Sequence, residues 1–136
     1  MKNTAETIPP LTVEHVDAAR MKTMAALLRD PYPIHWDVAA VRAAGHGDRP
    51  VNQGPLNLAY IANMLMAWAG DGSIRRLTVA FHGRVFAGDA VTASGEVDEI
   101  VEVAGERRAR CSVRLVRGDS VLVAGTAEVA VGPATA

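Results

Sequence analysis

"PLNLAYIANMLMAWAG", residues 55–70, contains the longest apolar run of the chain, and the fold follows from how it is read. Pro55 suits the first turn of a helix, where a missing N–H costs nothing, and Gly70 suits the stop. Leu58, Ile61, Leu65 and Trp68 form one stripe, while Ala59, Ala62, Met64 and Met66 occupy the other faces. A helix apolar nearly all round belongs inside a protein. Residues 58–69 are too few to span a bilayer. Asn57 and Asn63 interrupt the run, and buried amides must find partners: a substrate, a neighbouring sheet or a second subunit.

What could enclose such a helix follows it in the chain. From residue 74 to residue 131 runs of β-branched residues alternate and are broken at Gly83, at residues 87–89, at 104–106 and at 117–119. In the third run Ala109, Cys111, Val113 and Leu115 share one face, and Arg108, Arg110, Ser112 and Arg114 the other. That alternation predicts an antiparallel meander of four strands with one dry face and one polar face. Ahead of the apolar helix, Asp17 caps a predicted helix ending near Arg29, with Met21, Met24, Ala25 and Leu28 on its apolar side. Pro31 biases Asp30 away from the helical region. Asp37 opens a short helix over residues 37–44, and "GHGDRP" is a loop. Residues 1–10, polar and ending in Pro9-Pro10, read as a loose arm, with order beginning near Leu11. Helices first and strands afterwards define an α+β class. A sheet wrapped round one apolar helix is the hotdog arrangement, here expected as a single domain over residues 11–136.

Composition narrows the function classes. The chain has 136 residues, 49% hydrophobic and 21% charged, the balance of a globular domain rather than a disordered one. Fourteen basic and fifteen acidic residues leave a formal charge of −1, which gives no electrostatic reason to expect nucleic acid or an anionic membrane as partner. The N-terminus lacks a signal-peptide core, so a soluble, cytoplasmic protein is expected. Cys111 is the single cysteine and reads as buried filler. His15, His46 and His82 are scattered without metal-site spacing, so no metal is expected.

Chemistry concentrates in "RDPYPIHWD", residues 29–37. A carboxylate, Asp30, and an imidazole, His35, share a proline-restricted loop that cannot be helical. Together they can hold a water molecule, one group orienting it while the other moves its proton. The alternative is structural: Asp30 satisfies backbone N–H groups after a helix, and His35 packs beside Trp36. Gly54 precedes the buried helix, where unpartnered N–H groups favour an anion, and glycine admits a close approach to the backbone. An ordinary helix start accounts for Gly54-Pro55 equally well.

The longer pattern resembles the MaoC-like dehydratase family, which includes the R-specific enoyl-CoA hydratases. Asp30, Pro31, Tyr32, Pro33, Ile34 and His35 match its aspartate-to-histidine segment except at Tyr32, where asparagine is usual. Phe81, Val85 and Gly88-Asp89 meet a later pattern, with Arg84 where proline is usual. The resemblance spans residues 12–131. It implies a hotdog fold and reversible addition of water to a trans-2-enoyl thioester, with Asp30 and His35 activating the water and the Gly54 amide as oxyanion donor. Gln53 stands where the family often has histidine, and Ala62 where some relatives carry a polar residue. Gln53, Tyr32 and Asn57 are the remaining candidates for substrate contact. The implied partners are an acyl-CoA or an acyl-carrier thioester, with no cofactor beyond the substrate's own coenzyme A. A second hotdog chain, identical or paralogous, is expected because a lone sheet has edges to protect. Arg75-Arg76 and the cluster Arg107, Arg108, Arg110, Arg114 and Arg117 are candidate phosphate contacts, or else a solvated strand face. The "RGD" of residues 117–119 reads as a tight turn. Two rival functions stay open: an acyl thioesterase on the same fold, and a non-catalytic subunit completing a partner's acyl tunnel.

Overall fold

Over residues 6–133, which the computed structural model describes, the order is β1 (Glu6–Val13), α1 (Ala18–Leu28), a 3-10 turn (Pro33–His35), α2 (Val38–Ala43), α3 (Gly54–Ala69), β2 (Ile74–Phe81), β3 (Val91–Val103), β4 (Glu106–Arg117) and β5 (Ser120–Pro133). Asp17 and Asp37 cap α1 and α2 as expected, each accepting from the N–H two residues on (2.9 and 3.0 Å). No helix among the described residues is long and apolar enough to cross a membrane.

Helix α3 touches all five strands, which defines the hotdog arrangement. Its buried surface runs through Leu56, Asn57, Tyr60, Ile61, Met64 and Leu65. Leu58 is only half-buried and Asn63 is exposed, so the stripe is rotated from the expected one and only Asn57 of the two amides is inside. An all-round apolar helix carries too little periodic contrast to say which face lies deepest. Facing it from the sheet are Val91, Ala93, Val97, Ala109, Cys111, Val113, Leu115, Val123, Ala127 and Val129. Burial pushes the Cys111 thiol up to about 11, as befits filler.

The sheet is antiparallel in the order β1-β3-β4-β5-β2. Strands β3, β4 and β5 form the expected meander. The two-residue turn Ala104-Gly105 has φ of 52° and 77°, the twist that closes a tight hairpin. Strand β2 departs from the expectation, because it pairs with β5 at the far edge and not with β3. Alternation identifies strands without naming their neighbours, and residues 82–90 are long enough to carry the chain across. At the β2–β5 seam Gly125 has no room for a Cβ, which would strike the Thr78 carbonyl and lie 2.7 Å from the Val79 Cα.

A second correction concerns the arm. Residues 6–10 belong to β1, which pairs with β3, and Ile8 is fully buried. Residues 1–5 lie outside the described residues. The prolines are tolerated because β1 is an edge strand and the register shifts between Ile8 and Leu11, where ladder N–H groups are not needed.

The arginines of the outer face are largely committed. Arg75 and Arg108 both hold Glu106 (2.9 and 2.8 Å), Arg108 reaches Glu128 (2.9 Å), and Arg110 reaches Glu99 (2.9 Å). Hydrogen bonds from Arg75 and Arg108 bring Glu106 down to about 2. For these three arginines the ion-paired strand face, and not a free phosphate site, is what the fold provides.

The central helix yields a stability prediction. Ile61→Ala, at a fully buried position, should cost about 2–5 kcal/mol. Ala67→Ser on the exposed face should stay within about 0.5 kcal/mol. Denaturant midpoints at unchanged slope check both.

Candidate active site

Helix α1 ends on Arg29, whose φ of 52° and ψ of 38° turn the chain back on itself. Its N–H donates to Ala26 O (3.2 Å) and that of Asp30 to Ala25 O (3.0 Å), so Asp30 leaves the helix at a defined angle. Asp30 Oδ1 accepts from the Tyr32 N–H (3.1 Å), bracing the turn across Pro31. Pro33 then starts the 3-10 turn, and its carbonyl accepts from Trp36 N (3.1 Å) and Asp37 N (2.7 Å). Trp36 Nε1 donates to Pro31 O (3.3 Å). The loop is thus knitted by its own hydrogen bonds, which is the rigidity expected from its prolines.

His35 is 9% exposed, and its Nδ1 lies 2.7 Å from the Val51 carbonyl. A carbonyl only accepts, so Nδ1 carries the proton and, in the neutral ring, Nε2 presents a lone pair. Nε2 stands 4.0 Å from Asp30 Oδ2. That separation is too long for a direct hydrogen bond, yet a water oxygen fits about 2.8 Å from both atoms. Since Oδ1 is used by Tyr32 N–H, Oδ2 is the oxygen left for such a water. The Tyr32 ring meets the His35 ring edge-on, centroids 5.8 Å apart, and is half-exposed.

The same Val51 leads into α3. Its N–H donates to Ile34 O (2.9 Å), so residues 50–53 lie directly against the catalytic-loop candidate. Gln53 precedes the helix without capping it by its side chain. First-turn N–H groups, including that of Gly54, have no carbonyl partner within the helix. The Phe81 ring packs on Gly54, 3.4 Å from where a Cβ would stand. Gln53 is 1% exposed and donates through Nε2 to Met21 O (2.7 Å), tying α1 to the start of α3. Asn57 accepts through Oδ1 from Asn52 Nδ2 (2.8 Å), which also reaches the Tyr60 hydroxyl (3.2 Å). Of the expected substrate contacts, then, Asp30, His35 and Tyr32 lie together and Gly54 follows three residues after Val51, which bonds to that loop, whereas Gln53 and Asn57 spend their side chains inside the fold.

Sequence reading passed over the groups that hold this region in place. Asp89 is 7% exposed and accepts three hydrogen bonds from three partners: Arg49 Nη1 on Oδ1 (2.8 Å), with Arg117 Nη1 (2.6 Å) and Phe86 N (2.9 Å) on Oδ2. Burial alone would raise its carboxyl, but the bonds from Phe86 N–H, Arg117 and Arg49 outweigh that and hold it below the ordinary range. The Gly88-Asp89 pair was visible as part of the family pattern; Arg117 was read as a candidate phosphate contact and as the edge of a turn, and instead it holds Asp89 and the Arg84 carbonyl.

Residues 1–117 match the MaoC like domain, and the chain belongs to that family. Among solved structures it is similar to an (R)-hydratase from A. caviae involved in PHA biosynthesis, at 28% identity and TM-score 0.81, covering 95% of this chain and 98% of that one. The R-hydratase PhaJ1 from Pseudomonas aeruginosa shares the fold at 23% identity and TM-score 0.79, over 98% and 83%. So does the ChsH1–ChsH2 complex from Mycobacterium tuberculosis, at 21% and 0.80, over 96% and 99%. Comparison with curated protein sequences finds no match.

The depressed Asp89 carboxyl gives a pH prediction with a definite sign. Its stabilisation is complete above the ordinary value of 3.8 and is lost as pH falls through the lower folded value. Asp89→Asn should therefore lose about 3 kcal/mol at neutral pH. It should also lose less than the parent as the pH falls below the ordinary value of 3.8. Urea titrations from neutral pH to below that value check both limbs.

Proposed function

We propose that this protein is an R-specific enoyl-thioester hydratase or dehydratase, a hydro-lyase that adds water reversibly to a trans-2-enoyl thioester to give a 3-hydroxyacyl thioester. The observation that carries this reading is the pairing of His35 Nε2, its proton committed to the other ring nitrogen, with the free Asp30 oxygen 4.0 Å away. Two acceptors at that spacing take both protons of one water and leave an oxygen lone pair directed outward at the substrate.

The steps balance without a cofactor. The pair takes one proton from the water as its oxygen bonds to the β carbon, and the π electrons move onto the thioester oxygen. The N–H of Gly54, at the positive end of the 16-residue α3, stabilises that charge. When the enolate collapses, the α carbon receives the proton the pair took up, so Asp30 and His35 end as they began. Tyr32, half-exposed beside His35, forms one wall of the acyl site in this reading.

The substrate carrier is coenzyme A or an acyl-carrier domain. A second hotdog subunit is proposed as partner, because Leu27, Leu28, Tyr32 and Trp36 lie exposed at the end of α1 and in the loop that follows it. The similar ChsH1–ChsH2 structure is itself a complex of two chains, which supports this reading.

The test is loss of the conjugated enoyl absorbance over a panel of trans-2-enoyl-CoA chain lengths, alongside Asp30→Asn and His35→Asn. Each substitution should lower kcat at least about a hundredfold while leaving the folded state intact. Thiol release in place of hydration would indicate a thioesterase, and turnover that appears only when a second hotdog chain is added would indicate a subunit role.

A further inference from the structure

The Val51–Asn52 peptide is held at both ends. Its carbonyl accepts from His35 Nδ1 at 2.7 Å, and its N–H donates to Val85 O at 2.7 Å. Hydrogen bonds at the two ends of one amide polarise it in the same sense, so the Val85 contact strengthens the carbonyl as acceptor for the imidazole. Val85 is itself held from both sides. The carbonyl before it, Arg84 O, accepts from Arg117 Nη1 (2.9 Å), and the N–H after it, Phe86 N, donates to Asp89 Oδ2 (2.9 Å). Arg117 and Asp89 are in turn bonded to each other, and Arg49 joins Asp89 to Ala87 O (3.1 Å). Residues 50–52 and 85–87 are bridged besides, through Val51 with Phe86 and through Ala87 N to Pro50 O (2.9 Å).

We propose that Asp89, with Arg49 and Arg117, is a positioning residue for His35, acting through the Val85 carbonyl and the Val51–Asn52 peptide to keep the imidazole in its Nδ1–H form. The catalytic meaning of that tautomer rests on the hydratase reading, because only Nδ1–H leaves Nε2 free to accept from water. A buried carboxylate is costly to maintain, and a turn could be closed by apolar residues instead. What the carboxylate adds is a fixed place for a backbone acceptor. Unlike the side-chain carboxylate that often orients a catalytic histidine, the orienting group here is a main-chain carbonyl, so its position must be set from further off.

The experiment is nitrogen NMR of the full chain with labelled histidine, with the His35 signals assigned by their loss in His35→Asn, together with kcat and KM on enoyl-CoA. Asp89→Asn is compared with Val129→Ala, a buried sheet variant chosen to lose similar stability away from these contacts. Wild type and Val129→Ala should show the Nδ1–H tautomer with a slowly exchanging ring proton. Asp89→Asn should show mixed tautomers and fast exchange, with kcat down roughly tenfold and KM within about twofold. If Asp89→Asn does not fold, Arg49→Met, at a half-exposed arginine, carries the same comparison with a smaller loss of stability. A folded variant that keeps the wild-type tautomer and exchange rate overturns the proposal, as does a wild type in the Nε2–H form. The ring-nitrogen measurement needs no turnover, so absence of hydratase activity would remove the functional reading while still deciding the coupling.

Discussion

An α-helix without a polar face has to be enclosed, and that constraint organises the whole molecule. Helix α3 contacts every strand, which requires a sheet curved round it in place of the flat layer that would cover one stripe. Because the N–H and C=O groups of the helix interior are bonded to one another, its ends are the places where the backbone can still meet another group. At the N-terminal end the chain carries Gly54 with no side-chain cap, and the segment leading there runs beside the Asp30 to His35 loop. The fold thus brings the segment that opens α3 alongside the loop holding the Asp30 carboxylate and the His35 imidazole, without any insertion to carry them.

That region is held mainly by backbone. Asp30 braces its own turn through Tyr32 N–H, His35 is oriented by the Val51 carbonyl, and Val51 is fixed by Ile34 on one side and its peptide by Val85 on the other. Main-chain partners make the arrangement tolerant of side-chain change. Tyr32 occupies the position where the family usually has asparagine, yet the bond that braces the loop comes from its N–H, which any residue but proline supplies. Gln53 replaces a frequent histidine and is used to tie α1 to α3 through Met21 O. Ala62 lies half-buried on α3. The hydrogen bonds of the Asp30 and His35 side chains are to the Tyr32 N–H and the Val51 carbonyl and use none of these three side chains.

Much of the architecture was legible because its signals are local. Capping aspartates at 17 and 37, the proline and glycine bounding the apolar run, and the alternation of β4 each depend on near neighbours in the chain. The proximity of Asp30 and His35 was legible for the same reason, both lying in one loop. Errors arose where the answer depended on remote residues: β1 forms in spite of two prolines because an edge is available beside β3, and β2 finds β5 across the sheet. Arg117 looked like part of a turn because its partner, Asp89, stands 28 positions away.

By itself, then, the sequence determined the class of fold, the helix at its centre and the two side chains that face each other, since periodicity, caps and a proline-rich loop act over a few residues. Tertiary structure alone decided strand order, the use of Gln53 and Asn57 as internal ties, and the tautomer of His35. These depend on which carbonyls and carboxylates come within hydrogen-bonding reach once the sheet closes, and hydrogen bonds are too short-ranged to be read from a chain before it folds.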